Sequence, residues 1–149
     1  ASYMAYNGEI DPSFLESSDS KTFAFPVVQE NGLLKFMQPI GTLRKGSFGI
    51  SEPETGIEEE ISELDLVLVP LVAADHIGNR LGHGVGYYDR TFATDRISKR
   101  PLLVGLAYDF QIVEKLVTNS WDIPLDVLVT ESRLFFSEMS RSRVAMGEY

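Results

Sequence analysis

The sequence predicts an α/β fold with a mostly parallel sheet. Three short apolar runs rich in Leu and Val, at 64–72, 102–107 and 126–130, have the length and β-branching of strands buried on both faces. Stretches that read as helical, at 87–97 and 109–117, separate these runs. A glycine-rich loop at 78–86 follows the first run. Strand and helix in alternation require parallel pairing through crossover connections.

The elements follow in chain order. Thr22 to Val28 reads as a strand with Pro26 inside it, where a missing N–H is tolerated only at an edge. Leu33 to Gln38 is a second, shorter strand, and Asn31-Gly32 between them is a hairpin turn signal. From Arg44 to Glu63 the chain reads as a polar connection, with Glu58-Glu59-Glu60 as a solvated charge run. Leu64 to Val72 is the strongest candidate for a buried strand, and the glycine loop follows. Tyr87 to Ile97 is expected to be a helix, and Leu102 to Ala107 another buried strand. Asp109 to Val117 is expected to be a helix, with Asp109 as its cap and Ile112, Val113 and Leu116 on one face. Asp126 to Thr130 is the final strand.

Composition narrows the function. A chain of 149 residues with 44% hydrophobic content suits one domain with a sizeable core. A formal charge of −9 disfavours general nucleic-acid binding, which needs a basic footprint. There are no cysteines, so thiolate metal sites, disulfides and cysteine nucleophiles are excluded. No apolar run reaches the roughly 18 residues of a membrane span, and no basic-then-apolar leader opens the sequence. The expectation is a soluble, cytoplasmic, monomeric protein without nucleic acid or membrane, with a small anionic ligand still open to it.

The chemistry-bearing segment is Gly78-Asn79-Arg80-Leu81-Gly82-His83-Gly84-Val85-Gly86-Tyr87-Tyr88-Asp89-Arg90. Glycines at alternate positions let the backbone approach a ligand and aim its N–H groups at an anion. A helix starting after Gly86 would add the positive end of its dipole. Arg80 presents a fork of donors to phosphate oxygens, and Asp89 could hold Mg²⁺. In open α/β sheets ligands sit beyond the carboxyl ends of the strands, where this loop falls. The spacing matches neither the P-loop nor the dinucleotide fingerprint, so by itself it also fits a tight strand-to-helix connection.

The whole string, with Val69-Pro70 before it, closely resembles the signature of the 5-formyltetrahydrofolate cyclo-ligase family, also called methenyltetrahydrofolate synthetases. Other segments agree in order. They are 3–11 (YMAYNGEID), Phe25-Pro26-Val27-Val28, Gly49-Ile50-Ser51-Glu52-Pro53, Val104-Gly105-Leu106-Ala107-Tyr108 with Gln111, and Asp122-Ile123-Pro124-Leu125-Asp126 with Thr130-Glu131.

The resemblance implies a three-layer α/β sandwich spanning 1–149 as a single domain. It also implies ATP-dependent closure of 5-formyltetrahydrofolate, polyglutamylated forms included, to the 5,10-methenyl compound. By the same resemblance Arg80, Leu81, Gly82, His83, Gly84, Val85, Gly86, Tyr87 and Tyr88 wrap the ATP phosphates. His83 through Tyr87 also face the folate, and Arg80, His83 and Tyr87 are the candidate catalytic residues. Met4 and Glu9 line the folate pocket, with Glu9 hydrogen-bonding the pterin, and Asp89 and Asp122 handle Mg²⁺.

Four departures from the family pattern are expected. The family's N-terminal basic helix does not fall within this sequence, so it either precedes Ala1 or is lost, and the stretch between Glu9 and Phe25 is shorter than usual. Val85 stands where glycine or lysine is usual, and His83 where arginine or tyrosine is common. These differences keep a non-catalytic folate- or nucleotide-binding relative as the alternative. Plainer roles also stand beside each residue: Asp89 as a first-turn helix residue, Asp122 as a turn residue before Pro124, Glu9 as a surface carboxylate. Of Tyr87 and Tyr88, one is expected buried and one facing the ligand. His76 is expected to face solvent and Trp121 to pack.

Overall fold

The computed structural model describes residues 1–16, 20–93, 97, 99–138, 140 and 141. Its strands in chain order are β1 (Phe25–Val28), β2 (Leu34–Pro39), β3 (Leu43–Lys45), β4 (Ser51–Pro53), β5 (Gly56–Glu59), β6 (Leu66–Val69), β7 (Ala73–Asp75) and β8 (Arg80–Leu81). Helix α1 (Tyr87–Phe92) follows, then β9 (Leu102–Leu106), β10 (Ile112–Val113), β11 (Val127–Val129) and β12 (Leu134–Phe136). The fold is α/β, with its strands in several sheets.

The three apolar runs meet as expected. β6 pairs parallel with β9 and β9 parallel with β11, while β12 closes the edge antiparallel to β11. Side chains alternate between two apolar clusters. Val67, Val69, Leu103 and Leu128 pack on one side with Phe36 and Phe92. Leu68, Val104 and Val127 pack on the other with Tyr3. Burial on both faces is why these strands read as unbroken apolar runs. Each is shorter than its run; the first ends at Val69, because Pro70 cannot donate to the ladder.

The early hairpin also forms, with β1 antiparallel to β2 and the turn closed by the Gly32 N–H donating to the Gln29 carbonyl. β1 begins only at Phe25, three residues later than the sequence pattern places it. The stretch from Arg44 to Glu63 is not a plain connection. It carries most of the β3–β4 hairpin and all of β5, which joins the β1–β2 sheet through Phe36↔Glu59 to Pro39↔Gly56. Pairing with β2 gives β5 its ladder, although its side chains are largely polar. Glu58 remains exposed and pairs with Lys35 at 3.3 Å.

Two helix expectations are corrected. α1 stops at Phe92, where Ala93 turns extended (ψ 129), and 94–96 lie outside the described residues. No helix forms over Asp109–Val117. Asp109–Gln111 is one 3₁₀ turn capped by Tyr108, and Ile112–Val113 then pair in parallel with Ala74–Asp75. The β-branched pair joins an available strand edge, and that tertiary ladder outweighs the weak local helix period. The Asp109 carboxylate accordingly caps nothing; it accepts from the Ser132 hydroxyl at 2.5 Å.

Candidate active site

A cleft of about 1070 Å³ opens past β6, with Pro70 in its lining. Its walls come from the 3–9 segment, the β3–β4 hairpin, the glycine loop with α1, and the 116–123 stretch. Every candidate site residue lines it: Met4, Glu9, Arg80 through Asp89, and Asp122.

Buried Asp75 sets the entry to the glycine loop. Its Oδ1 accepts the N–H groups of Ile77 (3.2 Å) and Asn79 (3.0 Å). Its Oδ2 accepts from the Asn79 side chain (2.9 Å) and the Leu116 N–H (3.1 Å). Burial pushes this carboxyl up, but the Asn79 side chain and the amides of Leu116, Asn79 and Ile77 together hold it below the usual range. One side chain thus ties the loop to the opposite cleft wall. Gly78 is required next: its φ is 96°, and a Cβ there would stand 2.6 Å from the Leu125 carbonyl oxygen.

Arg80 follows on β8 with its side chain 7% exposed. It donates to the Ile123 carbonyl at 2.6 Å and to Asp89 Oδ1 at 3.0 Å. The guanidinium therefore lines the cleft already engaged with a carboxylate. Asp89 Oδ1 also accepts the Ile123 N–H at 3.0 Å.

Beyond Leu81 the backbone amides are uncommitted. Among the described residues, no hydrogen bond is donated by the amides of Gly82, His83, Gly84, Val85 or Gly86. Arg90 braces this loop from outside, donating to the Val85 carbonyl at 2.6 Å and to the Gly32 carbonyl at 3.2 Å, and stacking on the Tyr87 ring at 5.4 Å. Consecutive free amides in a concave turn are an anion-binding arrangement. α1 has only six residues, so its dipole adds little to what these amides could offer an anion.

Glu9 and His83 meet across the cleft corner, with Glu9 Oε1 3.4 Å from His83 Nδ1. Glu9 is not a surface carboxylate: its side chain is 7% exposed and its Oε2 accepts the Tyr6 N–H at 2.9 Å. Burial pushes its carboxyl above the usual range, against the opposing pull of the Tyr6 amide and His83. The Tyr6 ring meets the imidazole edge-on at 5.8 Å.

Tyr87 and Tyr88 do not divide into one core and one ligand residue. Both are half-buried, both pack on the core, and both line the cleft. Burial, then the nearby Glu9 charge, pushes the Tyr88 hydroxyl well above its ordinary range. Trp121 does not pack in the core; it is 67% exposed on the cleft wall. His76 is exposed as expected, resting against the Phe135 ring at 5.2 Å.

For a metal, no group of three or more His, Asp or Glu converges among the described residues. Asp122 Oδ2 accepts the Asn119 N–H at 2.7 Å, which closes a turn. Asp89 Oδ2 and Asp122 Oδ1 have no hydrogen-bond partner among the described residues. Two carboxylates with one oxygen each to spare suit Mg²⁺, which takes few protein ligands and completes its shell with phosphates and water.

The β3–β4 hairpin holds none of the site residues expected from sequence, yet Ser47, Phe48, Ile50, Ser51 and Glu52 all line the cleft. Glu52 is buried and accepts from Arg44 at 2.8 Å. Its place in the Gly-Ile-Ser-Glu-Pro element was the available signal. Its place at the site comes from tertiary contact, where Glu52 Oε2 accepts the Val28 N–H at 3.4 Å.

Fold and site together define an α/β protein whose glycine loop lines a cleft with unclaimed amides beside a carboxylate–imidazole pair. Comparison with known proteins is specific. The profile of the 5-formyltetrahydrofolate cyclo-ligase family matches residues 13–131. A 5-formyltetrahydrofolate cyclo-ligase of Haemophilus influenzae is 40% identical over 139 residues, covering 87% of this chain and 74% of the relative. That of Escherichia coli is 36% identical over 145 residues, covering 91% and 79%. The solved structure of Aquifex aeolicus 5,10-methenyltetrahydrofolate synthetase superposes with a TM-score of 0.75 at 39% identity, covering 92% of this chain and 70% of that one. The chain belongs to the 5-formyltetrahydrofolate cyclo-ligase family.

Proposed function

We propose that this protein closes 5-formyltetrahydrofolate to 5,10-methenyltetrahydrofolate, consuming ATP and releasing ADP and phosphate. The observation that carries this reading is the run of unclaimed amides from Gly82 to Gly86 lining a cleft large enough for both substrates. A formamide oxygen is a poor leaving group, and phosphoryl transfer from ATP makes it a good one. Catalysis then rests on positioning and charge neutralisation.

In this reading Leu81 through Tyr88 cradle the triphosphate. Arg80 adds cationic charge at the phosphates, and Asp89 holds it in place. Met4 and the Tyr87 face receive the folate beside Glu9. Asp89 and Asp122 would hold Mg²⁺, which when bound supplies countercharge to the phosphate oxygens. The same reading extends the architecture to a three-layer sandwich with a mostly parallel central sheet, for which the β6–β9–β11 pairing is the support. The partners are small molecules: ATP and the reduced folate, polyglutamylated forms included.

The test is direct. The protein converts 5-formyltetrahydrofolate to a product absorbing in the near ultraviolet, and only with Mg²⁺ and ATP both present. Competent ATP binding with no absorbance change would instead identify a non-catalytic member of the family.

A further inference from the structure

Ring closure by this reaction leaves one proton to be disposed of. The attacking nitrogen, N10, is a secondary amine. Its lone pair forms the N10–C bond to the formyl carbon, whose oxygen carries the phosphoryl group. The C–O bond then breaks, with its electrons leaving on phosphate. The methenyl product carries no hydrogen on N10, so a base must accept that proton.

Most polar groups of the cleft are unsuited to the task. Arg80 and Arg90 are cations. Asp89 is paired with Arg80 at 3.0 Å, Glu52 with Arg44 at 2.8 Å, and Asp122 accepts from Asn119 at 2.7 Å. The hydroxyls of Tyr3 and Tyr88 are held protonated, chiefly by burial and then by the charge of Glu9. His83 differs from all of these. Its Nδ1 lies 3.4 Å from Glu9, and its Nε2 has no hydrogen-bond partner among the described residues. The ring is 37% exposed on the cleft, while Glu9 is 7% exposed and fixed by the Tyr6 amide.

We infer that His83, oriented by the Glu9 carboxylate, is the general base that takes the N10 proton during ring closure. This rests on the cyclo-ligase reading above. An imidazole with a carboxylate on one nitrogen is held in the tautomer that leaves the other nitrogen basic, and the carboxylate stabilises the imidazolium that forms. The charged and titratable groups sharing this corner are Glu9, Tyr3 and Tyr6 from the N-terminal segment, with the Tyr6 ring edge-on to the imidazole at 5.8 Å, Tyr88 from α1, and the Arg80–Asp89 pair.

The experiment measures steady-state turnover of the full chain against pH, with ATP and 5-formyltetrahydrofolate both varied. Wild-type kcat falls on acidification within the range of roughly pH 5 to 8 where imidazoles titrate. His83→Gln lowers kcat by about a hundredfold or more, leaves the KM for ATP within about twofold, and loses that acid limb. Added imidazole restores part of the turnover of His83→Ala. Glu9→Gln lowers kcat while leaving the KM for ATP within about twofold, because the imidazole loses the carboxylate beside it. A purely structural Glu9 would lower stability without that selective loss of kcat.

His83→Arg separates the base from a simple phosphate-binding cation. Wild-type turnover in His83→Arg overturns the inference, as does an acid limb that persists in His83→Gln. An increased KM for ATP with unchanged kcat in His83→Gln also overturns it and makes His83 a phosphate donor. A wild-type protein that forms no methenyl product fails earlier, at the cyclo-ligase reading itself.

Discussion

The Arg80 guanidinium and the Asp89 carboxylate stand 3.0 Å apart with their side chains 7% and 18% exposed, and both also bond the backbone of Ile123. This pair joins β8, α1 and the far cleft wall at one point. Arg80→Ala removes a candidate phosphate donor and leaves a largely buried carboxylate without its partner. We expect turnover to fall at least about a hundredfold, consistent with loss of a transition-state charge donor. Stability should fall by roughly 1–3 kcal/mol. Steady-state kinetics and urea unfolding measure the two separately, and an unchanged rate in a folded variant removes the phosphate role from Arg80.

Asp75 makes stability depend on acid. Its folded carboxyl is held below the ordinary range, so folding favours the ionised form. The stabilisation is therefore full above the unfolded carboxyl range, near pH 4–5, and is lost as pH falls through the folded value. Asp75→Asn cannot accept all of the donors that converge there and lacks that charge. It should be less stable at pH 7 by roughly 2–4 kcal/mol, with a smaller difference at pH 3. Unfolding curves of both proteins across this range check the sign. A wild-type advantage that grows on acidification contradicts the assignment.

Glycines of one loop should answer differently to alanine. At Gly78 a side chain meets the Leu125 carbonyl at 2.6 Å in a left-handed conformation, whereas at Gly82 nothing lies within 4 Å. Gly78→Ala should lose roughly 1–3 kcal/mol of stability. Gly82→Ala should stay within about 0.5 kcal/mol of wild type while weakening ATP binding, because its methyl enters the cradle. Thermal unfolding with calorimetric ATP titration distinguishes a structural glycine from a ligand-facing one.

Trp121 is the chain's single tryptophan and lies exposed on the cleft wall. Its emission should change on saturation with ATP or folate, giving a direct binding signal. Trp121→Ala should keep stability within about 0.5 kcal/mol, since little of the ring is buried. If calorimetry shows binding while the emission stays constant, this wall lies away from both ligands.

Several features were legible from the residues because their causes are local or doubly buried. The β6, β9 and β11 runs read as strands because both of their faces are covered. The Asn31-Gly32 turn carries its own geometry, and the glycine string announces a backbone that must approach something closely. Other elements were not legible. Ile112–Val113 follows a helix-like pattern but joins the Ala74–Asp75 edge, and the polar β5 is a strand only because β2 offers it a ladder.

The site divides in the same way. Its residue types, and the family likeness they carry, are present in the linear chain. The state of those residues is not. That Arg80 is already neutralised by Asp89, that Trp121 is on the cleft wall rather than in the core, and that a buried Glu9 meets His83 are all consequences of packing. Hydrogen bonds and ion pairs between distant segments depend on distance and desolvation, and only the folded backbone determines either quantity.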